Sequence, residues 1–230
     1  MDKQKGNMYS FIDYTWNPLG GQCPHRCSYC STKKFLRSPI ISEKYSGDIR
    51  IIKSELINLK SNKKIFVCSQ NDLFASSVPH QIIIDILLHC RKYPKNTYLF
   101  QSKNPYRFLY YEFPDNSILC TTIESNRNVD NYNVPTMIKR AVAIRDLFEY
   151  PYYKTMITIE PIMEFDLKEM VELIDIARPD IIHIGAVTGN NKIQEPSAEK
   201  ICKLIEILSG YNLQLILKDN LKRLVKNNKI

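Results

Sequence analysis

Gly20-Gly21-Gln22-Cys23-Pro24-His25-Arg26-Cys27-Ser28-Tyr29-Cys30 sets three cysteines in a CxxxCxxC pattern on one short loop. Three thiolates at this spacing suit three irons of a 4Fe–4S cluster and leave the fourth iron without a protein ligand. An iron with an open position is a site for chemistry, whereas a fully ligated cluster usually only carries electrons. Other uses of the motif fit less well. A structural zinc site takes four ligands, often as two CxxC-type pairs, and here His25 lies inside the loop with no second pair elsewhere. A redox CxxC would employ Cys27 and Cys30 and leave Cys23 unexplained. A disulfide framework belongs to short secreted chains with an even cysteine count, and this chain has seven cysteines. The other four, Cys68, Cys90, Cys120 and Cys202, sit in apolar stretches and read as small buried hydrophobes.

The composition suits one domain over residues 1–230, with 44% apolar and 24% charged residues. The charged N-terminal stretch, Met1 to Gly6, has no apolar run after it, so no signal peptide is expected. No run approaches bilayer length. A cytoplasmic location follows, where the thiols stay reduced. The formal charge of +8 has three readings: a polyanionic substrate such as DNA or RNA, docking of an acidic electron donor, or a solvated lysine-rich surface.

Short apolar runs alternate with segments of helical period, the pattern of a parallel α/β fold. Strands are expected at Tyr9–Tyr14, Lys64–Cys68, Tyr98–Gln101, Ser117–Ile123, Lys154–Ile159, Ile181–Ile184 and Leu213–Leu217. Helices are expected at Ser28–Leu36, His80–Arg91, Pro105–Tyr111, Thr136–Tyr150, Leu167–Ala177 and Ala198–Ser209, with a short one over Asn220–Asn227. Asp166 with Glu169 three residues on forms a capping-box pattern, and Ser197 and Gly210 bracket the last long helix. Arg37–Asp48, with Pro39 and Gly47, reads as a surface loop, and Ser125–Val134 as a second loop near the site. Six strand–helix repeats and a last strand with its helix make a partial TIM-like (βα)6 barrel.

Chemistry in barrels sits at the C-terminal ends of the strands. Polar groups recur there: Ser69-Gln70-Asn71-Asp72, Ser102-Lys103-Asn104, Thr121-Thr122-Ile123-Glu124-Ser125-Asn126-Arg127, Glu160-Pro161, Gly185 with Thr188-Gly189-Asn190, and Lys218-Asp219-Asn220. Their repetition on one rim suggests a polar pocket facing a cofactor.

The cysteine spacing and the aromatic Tyr29 resemble the signature loop of the radical S-adenosylmethionine (SAM) enzymes. Trp16-Asn17-Pro18, Asn71-Asp72-Leu73-Phe74, Phe100 to Pro105, Thr122 to Arg127 and Ile159-Glu160-Pro161-Ile162 resemble a family of small phage- and prophage-associated radical SAM-like proteins. That family is distantly similar to spore photoproduct lyase, a DNA-repair radical SAM enzyme. The resemblance implies the radical SAM barrel and a 4Fe–4S cluster on Cys23, Cys27 and Cys30, with SAM on the open iron. Reductive cleavage of SAM would then give a 5′-deoxyadenosyl radical that takes hydrogen from a substrate.

The resemblance also implies partners for SAM. A Gly-Gly-Glu stretch that meets the ammonium group in radical SAM proteins is replaced here by Ser69-Gln70-Asn71-Asp72, so Ser69 and Asp72 are the candidates. Lys103 or Arg127 meets the carboxylate, Thr122 and Glu124 meet the ribose, and Tyr29 lies near the adenine. Glu160 either contacts substrate or cofactor or forms an ion pair, with Lys218 a weaker candidate beside it. The expected partners are a flavodoxin or ferredoxin and, from charge and kinship, a nucleic acid or nucleotide. The rival reading is a non-enzymatic module, either zinc-stabilised or an iron–sulfur sensor.

Overall fold

The computed structural model describes residues 1–4, 9–30, 32, 36–127, 134–150, 152–188 and 193–225. Its strands are β1 (Asp2–Lys3), β2 (Tyr14–Trp16), β3 (Leu19–Gly20), β4 (Arg50–Ile51), β5 (Lys64–Val67), β6 (Thr97–Ser102), β7 (Ser117–Thr122), β8 (Lys154–Ile159), β9 (Ile181–Ile184) and β10 (Gln214–Leu217). The helices are α1 (Pro39–Lys44), α2 (His80–Arg91), α3 (Met137–Asp146), α4 (Leu167–Ala177) and α5 (Ala198–Ser209). One eight-stranded sheet runs in the order β1-β2-β5-β6-β7-β8-β9-β10, and β3 pairs with β4 separately. From β2 to β10 every pairing in the large sheet is parallel, and only β1 is antiparallel. Strand order follows chain order because each crossover returns the chain to the adjacent position.

The apolar runs therefore mark the strands well, and the departures have local causes. The expected first strand, Tyr9–Tyr14, is displaced to Tyr14–Trp16. Ile12 instead closes a turn on the Tyr9 carbonyl, and both side chains are buried. The expected surface loop Arg37–Asp48 contains α1, with Pro39 in its first turn. Proline lacks only a donor that the first turn leaves unpaired anyway, so it starts this helix. Pro105–Tyr110 is a 3₁₀ segment, and the helix expected to reach Tyr150 ends at Asp146 before a 3₁₀ turn. Ser197 caps α5 as expected, accepting from the Lys200 N–H. Asp166 stands at the N-cap of α4 but makes no cap hydrogen bond, because its carboxylate is taken by Asn126 and Arg127. The helix expected over Ser28–Leu36 includes residues 31 and 33–35, the loop Ser125–Val134 includes 128–133, and Gly189-Asn190 and the end of Asn220–Asn227 are likewise outside the described residues.

A large core fills the space between helices and sheet. A second core, on the other face, gathers Tyr9, Ile12, Phe66, Leu99, Ile118, Cys120, Met156 and Ile181. Tyr9 reveals the shape of the sheet. Its ring lies 5.8 Å from Phe66 on β5 and 4.6 Å from His183 on β9. Those strands stand four places apart, about 19 Å in a flat sheet. The sheet therefore curls round Tyr9, as the expected partial barrel requires. Cys68, Cys90 and Cys120 are buried and Cys202 is half-buried, all as free thiols. Among the described residues no helix is long and apolar enough to cross a membrane.

Inside the curl, Thr158 and His183 are direct register partners on β8 and β9. His183 is buried, and burial, helped by Lys218, lowers its pKa to about 3. An unfolded chain takes up a proton near pH 6.5 that the folded chain refuses, so His183 costs stability as pH falls from about 6.5 towards 3. Between pH 7 and pH 5 this one group removes about 2 kcal/mol. Urea denaturation at the two pH values is expected to show that increment in the native chain and to lack it in His183→Phe.

Candidate active site

The three cysteines follow β3, whose sequence dictates a sharp exit. Gly21 has φ +93°, and a Cβ there would lie 2.3 Å from the Asp48 carbonyl oxygen, so only glycine fits. The loop is pinned on both flanks. Gly21 and Gln22 donate backbone N–H groups to the Lys44 and Gly47 carbonyls, and the Asn71 side-chain amide donates to the Gly21 carbonyl at 2.9 Å. The helix and turn after Arg37 thus serve as the outer support of the cysteine loop.

Cys23, Cys27 and Cys30 line one cavity of about 160 Å³ with His25, Ser69, Asp72, Lys103 and Thr122. It lies where β5, β6 and β7 end, the face on which barrels place chemistry. A larger cavity of about 560 Å³, between Arg91, Tyr111, Phe113 and Tyr153, opens beside the segments that precede β7 and β8. It is at the opposite end and has no cysteine, so size does not mark the site. Burial, then the Asp72 charge, pushes the Cys23 thiol up to about 12, against backbone N–H groups of His25 and Asp72 that face its sulfur. Burial also raises the Cys27 thiol, opposed by Lys103. Thiols so placed deprotonate when a metal binds them.

Asp72 is the organising group. Its carboxylate accepts from the Phe74 N–H at 2.9 Å, Ser102 Oγ at 2.7 Å, the Lys103 N–H at 2.8 Å and His25 Nε2 at 2.8 Å. Burial works against the charge, but these donors win and hold the carboxyl below its ordinary value. All four lone-pair positions of the two oxygens are occupied. The residue expected to meet the SAM ammonium group is thus fully committed within the protein. Ser69, the other candidate, donates to Asn17 Oδ1 at 3.1 Å and keeps acceptor capacity.

Beside it lies a buried charge network. Lys103 Nζ contacts Glu124 Oε1 and the Tyr29 hydroxyl, which itself contacts Glu124. Arg140 meets the other Glu124 oxygen at 3.0 Å and the Thr122 carbonyl at 2.8 Å. Burial raises Glu124 and lowers Lys103 to about 8. Glu124 thus faces two cations, of which Lys103 lines the cavity. Thr122 Oγ1 accepts from Gln101 at 3.1 Å.

The structure therefore gathers Tyr29, Ser69, Asp72, Lys103, Thr122 and Glu124 round the cysteines. Arg127 and Glu160 are placed differently. Arg127 is half exposed and pairs with Asp166 and Glu164, so of the two cations expected for a carboxylate only Lys103 lines the cavity. Glu160 forms an ion pair with Lys218 at 2.7 Å, one of the two roles expected for it. Sequence reading missed Arg140, although its position with Met137, Ala141 and Ile144 on the buried face of α3 is the signal of a charged residue on an apolar stripe. It also gave no role to His25.

Residues 7–195 match the family described as Protein of unknown function (DUF5131). The chain belongs to this family. Comparison with curated proteins gives no match. Among solved structures, the DUF5131 chain is similar to a spore photoproduct lyase variant with bound AdoMet and dinucleoside spore photoproduct, with TM-score 0.59, 14% identity, and coverage of 92% of this chain and 65% of that one. A second spore photoproduct lyase variant gives TM-score 0.65 at 11% identity, covering 93% and 78%. SuiB of Streptococcus suis bound to precursor peptide SuiA gives 0.56 at 12%, covering 89% and 48%. At these identities the likeness is one of fold.

Asp72→Asn replaces an acceptor-only group by one whose amide nitrogen cannot accept. It is expected to lower the stability of the metal-free chain by about 3 kcal/mol, read from urea denaturation, whereas Ser69→Ala stays within about 0.5 kcal/mol.

Proposed function

We propose that this chain is a radical SAM enzyme. The observation that carries the reading is the set of three free thiols lining one cavity at the C-terminal ends of a curled parallel sheet, beside the half-buried Lys103. The donor set fits a 4Fe–4S cluster: it consists of thiols that await a metal, on a loop held from both sides. The likeness to a spore photoproduct lyase with bound AdoMet and to SuiB bound to S-adenosylmethionine supports SAM as cofactor.

A cluster on Cys23, Cys27 and Cys30 with SAM on its open iron supplies one-electron cleavage of the sulfonium to methionine and a 5′-deoxyadenosyl radical. The chain's own residues bind and orient. Lys103, one of the two cations facing Glu124, meets the SAM carboxylate. Ser69 accepts from the ammonium group. Tyr29, held over Lys103, borders the adenine. Asp72 positions the loop instead of touching the cofactor. Buried Phe66, which lines the cavity and belongs to the inner core, excludes water from the reacting side. Anaerobic reconstitution with iron, sulfide, dithionite and SAM is expected to yield 5′-deoxyadenosine, and Cys27→Ala to fall to the level without protein. A chain that binds zinc, or a cluster without SAM affinity, would be a non-enzymatic metal module.

The substrate in this reading is a nucleic acid or nucleotide, on the +8 charge and the dinucleoside bound by the similar lyase. A flavodoxin or ferredoxin in the cytoplasm supplies the electron. Retention on a DNA or RNA column is expected to fall steeply with salt, by about tenfold or more in affinity between 50 and 200 mM. Weak retention at low salt would remove the nucleic-acid assignment.

A further inference from the structure

We infer that His25 is a fourth side-chain ligand of this site: its Nδ1 binds the iron that the three cysteines leave open, and SAM displaces it. The inference rests on the cluster reading above and goes beyond it, because the resting site is then capped instead of open.

The argument begins with the proton on the ring. Asp72 receives two backbone N–H groups, from Phe74 and Lys103. It also receives the Ser102 hydroxyl, whose oxygen accepts in turn from the Asn104 N–H at 2.8 Å, so the hydroxyl proton goes to Asp72. A carboxylate already accepting from three donors is an acceptor at its fourth contact too. His25 Nε2, at 2.8 Å, is therefore the protonated nitrogen. In the neutral ring Nδ1 is then a bare lone pair.

That lone pair is buried and has no hydrogen-bond partner among the described residues. The residue is 4% exposed, and it lines the same cavity as Cys23, Cys27 and Cys30. Among the described residues, Lys103 Nζ of the same cavity is engaged with Glu124 and Tyr29, and the neighbouring Arg26 with Gln22. A bare buried nitrogen needs a Lewis acid or a donor. A carboxylate–imidazole pair with the second nitrogen free is the arrangement by which proteins orient a metal-bound histidine. The metal expected in this cavity is the one the thiols hold. His25 also lies two residues from each of Cys23 and Cys27, so the loop that delivers the thiolates delivers the imidazole. Displacement moves no electrons: the imidazole leaves neutral, and SAM enters through its carboxylate and its amino nitrogen, which first gives its proton to solvent.

The test is pulsed EPR on the reconstituted, dithionite-reduced full chain, prepared with natural-abundance or ¹⁵N-labelled histidine. Without SAM, a nitrogen coupling to the cluster is expected that changes isotope with the label and is absent in His25→Ala. Adding SAM is expected to abolish it and to introduce a coupling from ¹⁵N-amino SAM. If the imidazole fills the site nine times in ten, SAM binds His25→Ala about tenfold more tightly than the native chain. The labelled native pair requires no substitution, so poor folding of the variant does not affect the result. A cluster that forms and binds SAM but shows no histidine coupling overturns this inference and leaves the enzyme reading standing. A chain that takes up no cluster overturns both.

Discussion

One carboxylate with four donors holds the site together. Asp72 sits just beyond β5 and collects the cysteine loop through His25, its own turn through Phe74, and the end of β6 through Ser102 and Lys103. A buried carboxylate is costly unless paired and hydrogen-bonded, and here every lone pair has a donor. The same carboxylate that orients His25 thus fixes the height of the cysteine loop above the strand ends. Loops over a sheet are ordinarily its most mobile parts. This one is tied to two adjacent strand ends and, through Gly21 and Gln22, to the last residue of α1 and the turn after it, which is the rigidity the proposed cluster site would need.

The second constraint is charge. Breaking a buried ion pair on one side strands the other partner, so Lys103, Glu124 and Arg140 form a unit. Arg140 reaches Glu124 from α3, and Lys103 reaches it from the end of β6. Helix packing and cavity are therefore coupled through one carboxylate. The Glu160–Lys218 pair plays a similar part further round the curl. Gly185 gives it room, since a Cβ there would lie 2.8 Å from the Lys218 chain and 2.9 Å from the Glu160 carboxyl carbon.

Much of this was legible in the residue order. The β-branched runs at Lys154–Ile159 and Ile181–Ile184 are strands with those bounds, because strands covered on both faces read as continuous apolar segments. The cysteines and Tyr29 stood out by the CxxxCxxC loop, and Ser69, Asp72, Lys103, Thr122 and Glu124 by the rule that polar groups after strands share one rim; the structure brings them together at one cavity. What was hidden is pairing. Arg127 and Asp166 each looked available, one for a ligand and one for a helix cap, and they satisfy each other. Tyr9 alternates with apolar neighbours as a strand residue would, yet it turns inward to fill the curl. Its partners lie on β5, β6 and β9, far away along the chain.

Charge order also explains why thiols raised by burial suit this place. Asp72 and Glu124 both disfavour a thiolate at Cys27, and Lys103 alone among the named charges favours it. The bare protein thus holds protonated sulfur beside two carboxylates. In the proposed cluster each sulfur would bond an iron, whose positive charge favours the thiolate over the thiol, and each thiolate formed would strengthen the hold of Lys103, whose own charge the cysteines favour. Lys103 lines the cavity, where an anionic group of the proposed cofactor would enter, while the Asp72 carboxylate is fully engaged within the protein.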